Sequence, residues 1–360
     1  MEEINQKRRI SVSKIILYIF YGLVTIALLF LVLNMNDLGQ IGNVISNSKI
    51  EYILLALGCL LIYLALYPVT LIILCKAEKV ECKKRSIYCI GMTEHFFNGI
   101  TPFATGGQPF EIYALARKNV KASRSTGILA MNFIIFMLVT NAFAIVSLFF
   151  FDRFAKTPDI IAIAIVGFSI NFLVICFLIF IASNKKAARA MVKMMLWLGK
   201  IKFLSKIVNA NVVKFEDYLA QTQDAFKELF KHKLAFFACI LLRIVTMLAY
   251  YAISFFVLKA ININIGIEHL FFTVCASSFA ITAVVFLPTP GSSGGIEYAF
   301  TVIFQTAFVM SAVESASGML LWRLLTFYLV LLISFIFYVG LEISFHIEKK
   351  KNNQMKEENK

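Results

Sequence analysis

The sequence predicts an all-α polytopic membrane protein of two halves with opposite topology, each with three full spans and one helical hairpin broken by proline and glycine. Three observations carry this reading. Of the 360 residues, 60% are hydrophobic and only 16% charged, whereas an ordinary soluble domain has about 25% charged residues. Apolar runs of about 20 residues, the length that crosses a hydrocarbon core, recur along the chain. Two further apolar regions are interrupted near their middle by one shared Pro/Gly pattern. A soluble enzyme and a secreted disulfide scaffold are excluded. The seven cysteines (Cys59, Cys75, Cys82, Cys89, Cys176, Cys239, Cys275) are scattered and lack the paired spacing of a metal or redox site.

The elements follow in order. Residues 1–14 are polar, and the apolar run after them exceeds a signal-peptide core and has no small-residue cleavage site, so residues 15–34 are expected to remain as the first span. Further spans are expected at 52–75, 125–151, 160–182, 234–258 and 318–345. The regions 86–115 and 269–313 each read as two shorter helices around a break. Between the halves, residues 184–233 carry 11 basic and 4 acidic residues interleaved with Met191, Met194, Met195, Trp197 and Leu198. That mixture fits amphipathic helices lying on a membrane surface. A polar tail, 347–360, closes a single integral membrane domain over 1–360, with half-repeats 1–151 and 159–346.

Orientation follows from the basic residues, because cytoplasmic loops retain Lys and Arg. With both termini inside, 29 of the 35 Lys and Arg fall in cytoplasmic segments and four (Lys49, Arg153, Lys156, Lys259) outside, while Arg243 and Arg323 lie within spans. The excess of 14 positive charges is thereby mostly topology, and no stacking platform or recognition fold points to nucleic acid. For parity, the first hairpin begins and ends inside and the second outside. Charge does not decide whether each arm crosses fully or turns back at mid-depth.

The breaks share the pattern TPxxxGG: Thr101, Pro102, Gly106 and Gly107 in the first, Thr289, Pro290, Gly294 and Gly295 in the second. Pro288 and Gly291 add to the second. An acid, a Tyr and an Ala follow each: Glu111, Tyr113 and Ala114, then Glu297, Tyr298 and Ala299. Proline lacks an amide donor and glycine admits unusual dihedrals, so neither run continues as regular helix. Irregular backbone at membrane depth must be satisfied by protein or by a water-filled cavity. Paired breaks in corresponding positions of two inverted halves mark a transporter's substrate site.

Five charges lie in or beside apolar segments: Glu94, Glu111, Glu297, Arg243 and Arg323. Each costs about 2.5–3.5 kcal/mol at mid-helix depth on insertion scales, so each needs a partner. Arg243, central in its span, is expected to face the interior and pair with a carboxylate or an anionic substrate. Arg323, five residues into the last span, is placed to snorkel to the outer interface or to pair. Glu94 and Asn98 share a helix face just before the first break, with His95 beside them. A lone His with no second His or Cys nearby does not make a metal site. Helix ends at the breaks are expected to offer free amides to a phosphate or carboxylate.

At the breaks the sequence resembles the lysylphosphatidylglycerol synthase transmembrane family, also called the flippase-like domain family, which includes the membrane half of the bacterial multiple peptide resistance factor. The carrying residues are Asn98-x3-Pro102-x3-Gly106-Gly107, then Pro288-x-Pro290-Gly291-x-x-Gly294-x-x-Glu297, and the pair Trp322-Arg323. Where many relatives place an acid and then an Arg after the first Gly-Gly, this chain has Gln108, Pro109 and Glu111. Two-domain members add a large cytosolic transferase domain, and this chain runs only about 15 residues past its last expected span.

The resemblance implies movement of an anionic or aminoacylated phospholipid, of lysyl-phosphatidylglycerol type, between leaflets of a bacterial cytoplasmic membrane. That activity is tied to envelope charge and resistance to cationic peptides. The implied ligand is an anionic membrane phospholipid, a separate cytosolic or membrane transferase is a candidate partner, and no cofactor is implied. The isolated chain is expected to carry no tRNA-dependent lysyltransferase activity, although the family label names that enzyme. Two alternatives stay open: an intramembrane headgroup transferase with Glu94 or Glu297 as general base, and a small-solute secondary transporter. No P-loop, GxGxxG or metal-binding Asp cluster is present, so energy must come from a gradient, a partner or mass action.

Overall fold

The computed structural model describes residues 38–200 and 205–358, and the first expected span, residues 15–34, lies outside them. Among the described residues all regular structure is helical. Six stretches are long and apolar enough to cross a membrane: Ile50–Ala77, Arg124–Phe154, Pro158–Phe177, Lys233–Ala260, Ile267–Val284 and Ala312–Glu348. Five coincide with expected spans. The remaining one, Ile267–Val284, is the first arm of the second hairpin, lengthened because a 3-10 turn at Ile267–His269 runs straight into helix Leu270–Val284.

The first half contains α1 (Leu38–Ser46), α2 (Ile50–Leu66), α3 (Val69–Ala77), α4 (Lys84–Ile100), α5 (Gly107–Arg117) and α6 (Ala122–Ser147). A short α7 (Phe151–Phe154) leads to α8 (Pro158–Ser183), then α9 (Lys185–Leu198) and α10 (Ser205–Lys231). The second half continues with α11 (Lys233–Ala260), α12 (Leu270–Val284), α13 (Gly295–Ala307), α14 (Ala312–Arg323) and α15 (Val330–Glu358). The expected break between hairpin and last span moves forward from 318 to 312. Ser311 accepts from the Glu314 amide at 3.2 Å, and the Glu314 carboxylate accepts from the Ser311 amide at 2.8 Å, a reciprocal cap that starts α14 early. The polar tail stays helical to Glu358.

The expected span 52–75 is bent rather than straight. Pro68 separates α2 from α3 and cannot donate to the Leu64 carbonyl four residues back. That carbonyl instead accepts from the Tyr88 hydroxyl of α4 at 3.4 Å. The bend turns Tyr67 and Thr70 towards α11, where both meet Arg243.

The core lies where α2, α11, α12, α13 and α14 pack together, with α6 and α8 alongside. Trp322, 1% exposed, stacks on Phe300 with ring centres 4.9 Å apart, and Phe300 stacks on Phe304 at 3.9 Å. Small residues let helices approach, as expected where lipid removes the hydrophobic drive between them. A side chain at Gly167 of α8 would run into the Ala283 carbonyl of α12. Gly167→Leu is therefore expected to destabilise the protein by about 1–3 kcal/mol through overpacking. Nothing lies within 4 Å of the position a side chain would take at Gly58, and Gly58→Ala, in the interior of α2, is expected to stabilise by about 0.5–1 kcal/mol. Thermal unfolding of both variants in detergent checks the contrast.

Candidate functional site

The two breaks share their backbone over four residues and then part: Thr105 and Gly106 stay right-handed (φ −97°, ψ −6° and φ −80°, ψ −23°), whereas Ser293 is extended (φ −61°, ψ 144°) and Gly294 lies at φ 88°, ψ −53°. Thr101 and Thr289 are extended, at φ −112°, ψ 146° and φ −102°, ψ 147°. Each leads through proline to a residue in the left-handed region, Phe103 (φ 56°, ψ 17°) and Gly291 (φ 60°, ψ 23°). A second left-handed residue follows in both, Ala104 at φ 51° and Ser292 at φ 52°. Such conformations are uncommon for residues with a Cβ. They fall at the variable positions of TPxxxGG, so the turn repeats although the residues within it differ. The turns Pro102–Ala104 and Pro290–Ser292 pack against each other.

Each break satisfies its helix start differently. In the first, the Gly106 amide donates to Thr101 Oγ1 and the Gly107 amide to Asn98 Oδ1, both at 2.9 Å. Asn98 Nδ2 then donates to Glu94 Oε1 at 3.3 Å, so the expected shared face of Glu94 and Asn98 exists and is tied to α5. Gly107 permits this approach, because a Cβ there would lie 2.5 Å from Glu94 Cγ. In the second break, the Gly294 amide donates to Glu297 Oε2 at 2.7 Å. Glu297 thereby supplies the negative charge that a helix N-terminus favours. The expectation of free amides is corrected at Gly106, Gly107 and Gly294, whose donors are taken by the chain itself.

Arg323 does not snorkel outwards. It is 4% exposed, and its Nε donates to Glu297 Oε1 at 2.7 Å, forming a buried ion pair. Its Nη2 donates to the Gly291 carbonyl and to Ser293 Oγ, both at 3.1 Å, so one guanidinium ties α14 to the second break. A π-helical stretch, Leu324–Leu329, follows directly and sets the Phe327 ring 4.3 Å from the guanidinium carbon. Wide turns of this kind recur at functional positions.

Arg243 is fully buried, as expected, but makes no direct ion pair among the described residues. Its Nη2 donates to Thr70 Oγ1 at 2.8 Å and Asn132 Oδ1 at 3.0 Å, and its guanidinium covers the Tyr67 ring at 4.3 Å. Its positive charge acts on Glu94 and Glu111 from a greater distance. Glu111 is 1% exposed, and neither of its carboxylate oxygens has a hydrogen-bond partner.

A cavity of about 190 Å³ lies at the meeting of the breaks, lined by Tyr63, His95, Asn98, Gly99, Ala104, Tyr250, Gly291, Arg323, Thr326, Phe327, Val330 and Leu331. Of the residues singled out from sequence, His95, Asn98, Gly291 and Arg323 reach it. Glu94, Thr101, Gly106, Gly107 and Glu297 stand behind as supports. Pro102, Pro288, Thr289, Pro290, Gly294 and Gly295 shape the breaks, while Glu111 and Arg243 belong to a separate buried cluster. A larger cavity of about 840 Å³, bordered by Lys79, Glu81, Lys118, Lys121, Arg124 and Asp224, contains none of them.

Sequence reasoning missed Ser293, Phe327, Tyr67, Thr70 and Asn132. Pro68 in mid-span was the available signal for Tyr67 and Thr70, and an Asn in the middle of an apolar run was the signal for Asn132. Comparison with known proteins gives one firm result. The lysylphosphatidylglycerol synthase TM region matches residues 18–334. No curated protein matches the chain. Six apolar helices, paired breaks and a match over most of the length agree, and the chain belongs to the lysylphosphatidylglycerol synthase transmembrane family.

Proposed function

We propose that this protein moves an anionic or aminoacylated phospholipid between leaflets, with the headgroup phosphate entering the cavity where the two breaks meet. One observation carries the reading: two breaks whose opening turns match pack together and open one cavity onto Arg323. Arginine has five N–H donors. Three are committed to Glu297, Gly291 and Ser293, which leaves the Nη1 pair for a phosphate oxygen. The cavity is smaller than the roughly 300–1,000 Å³ of drug-sized pockets, so it takes a phosphate and its nearest atoms while acyl chains stay among the helices. Both Glu297 oxygens are engaged within the protein, so a cationic aminoacyl group would have to find Glu94 or Glu111.

Three of the four hairpin arms are short enough to turn back within the bilayer, while the fourth, Ile267–Val284, is long and apolar enough to cross it. At 1.5 Å per residue, α4, α5 and α13 extend about 26, 17 and 20 Å, against a hydrocarbon core of about 30 Å. With both termini cytoplasmic, the hairpins enter from opposite faces and meet at mid-depth. A site reached in turn from either side by rocking one half against the other fits this arrangement.

Arg323→Lys tests the reading, because an ammonium cannot reproduce the planar fork. Transfer of a fluorescent phosphatidylglycerol across proteoliposome membranes is expected to fall at least about tenfold, the equivalent of one hydrogen bond to a charged group. A folded Arg323→Lys protein that transfers lipid at the normal rate overturns it.

A further inference from the structure

We infer that Glu111, held with Glu94 beside Arg243, is a proton-binding site that couples the movement of cargo to a pH gradient. The inference builds on the transport reading above but assigns a role to residues outside the cavity. Its basis is charge and satisfaction. Two carboxylates and one guanidinium, 1%, 8% and 0% exposed, leave one net negative charge in an apolar interior. One proton neutralises the cluster: it bonds to a Glu111 oxygen, and the net charge goes from minus one to zero. Glu111 is the carboxylate with no hydrogen-bond partner on either oxygen, whereas Glu94 accepts from Asn98. Arg243 Nε and Nη1 are likewise unpartnered, while the Tyr67 hydroxyl also bonds Glu94.

The groups around Glu111 come from several elements. Glu94 lies on α4, Tyr67 follows α2, Cys75 lies on α3 and Arg243 on α11; His95 and Tyr63 flank Tyr67 and Arg243 rather than Glu111. At the far end of α5, Arg117 and Lys118 are taken by Glu342 and Glu348 of α15. A route from the cluster to the cavity is visible. Glu94 holds Asn98, Asn98 holds the Gly107 amide, and Asn98 itself lines the cavity. His95, also on the cavity wall, packs on Tyr67 at 4.2 Å, and Tyr67 lies beneath Arg243. Gain or loss of the Glu111 proton changes the charge opposite Glu94, and so the grip of Asn98 on the first break.

The test uses the full-length protein in detergent and in liposomes. The infrared spectrum of the wild type at neutral pH is expected to show the carbonyl stretch of a protonated carboxylic acid, shifted in D2O and lost in Glu111→Gln. A pH gradient of one unit should then shift the steady-state distribution of fluorescent phosphatidylglycerol up to about tenfold for one proton per lipid. A wild-type spectrum without the band, a band unchanged in Glu111→Gln, or transfer that responds to sodium and ignores pH overturns the inference. The wild-type spectrum decides even if the variant fails to fold. A band that disappears with Glu111 while no lipid moves supports the proton site and sinks the lipid cargo instead.

Discussion

Replacing Arg323 by Ala is expected to cost about 3–5 kcal/mol of stability, the range for removing one partner of a buried ion pair. Arg323 and Glu297 are 4% and 3% exposed, so water screens neither. Truncation strands the Glu297 carboxylate among apolar side chains and frees the Gly291 carbonyl and Ser293 hydroxyl from their shared donor. Denaturant titration in mixed micelles reads the loss. A double variant separates stability from function. In Arg323→Met with Glu297→Gln both charges are gone, yet the amide of Gln at 297 still accepts from the Gly294 amide as the carboxylate does now at 2.7 Å. Stability should recover much of the loss, since no charge is left unpaired, although the Gly291 carbonyl and Ser293 hydroxyl still lack their donor. Lipid transfer should remain lost, because the donor fork is absent. Recovery of both properties would mean that the pair only braces the fold.

Much of this architecture is legible in the sequence because a membrane leaves few choices. Backbone groups in hydrocarbon must be satisfied internally, so long apolar runs become helices and interruptions stand out. The repeated TPxxxGG could be read as two breaks because proline and glycine report directly on backbone dihedrals, whereas the left-handed φ of Phe103, matching Gly291, carried no such signal. Glu94 and Asn98 sharing a face is a consequence of helical period alone.

Partner choice was less legible. Arg243 and Arg323 look alike in sequence, each an arginine in an apolar helix. Which one meets a carboxylate depends on the crossing of distant elements. Arg323 meets Glu297 because α13 folds back beside α14. Arg243 meets Thr70 and Asn132 because Pro68 bends the second span and α6 crosses close by. The occupied amides at the breaks were equally hidden. Periodicity places Asn98 and Thr101 near the break, yet only the turn geometry brings their oxygens onto Gly107 and Gly106.

Gly291→Ala is expected to damage the second break through backbone and packing at once. The position lies at φ 60°, where an L-residue costs about 1–2 kcal/mol. A Cβ there would also run into the Phe327 ring, and forcing an extra carbon into a packed site adds about 1–3 kcal/mol. Phe327 cannot simply yield, because its ring lies 4.3 Å from the Arg323 guanidinium, so displacement loosens the residue that holds Glu297 and lines the cavity. Gly294, at φ 88°, ψ −53° with nothing within 4 Å of the position a Cβ would take, lies outside the left-handed well, so Gly294→Ala carries a backbone cost with no clash. Unlike Gly291→Ala, it should gain nothing from a smaller side chain at 327. In a Gly291→Ala background, Phe327→Leu should restore part of the stability by making room, and the same Phe327→Leu in the wild type should only lose contacts. Unfolding measurements on the four proteins of this cycle test the claim. No rescue of Gly291→Ala by the smaller side chain would show that backbone conformation alone makes glycine necessary at 291.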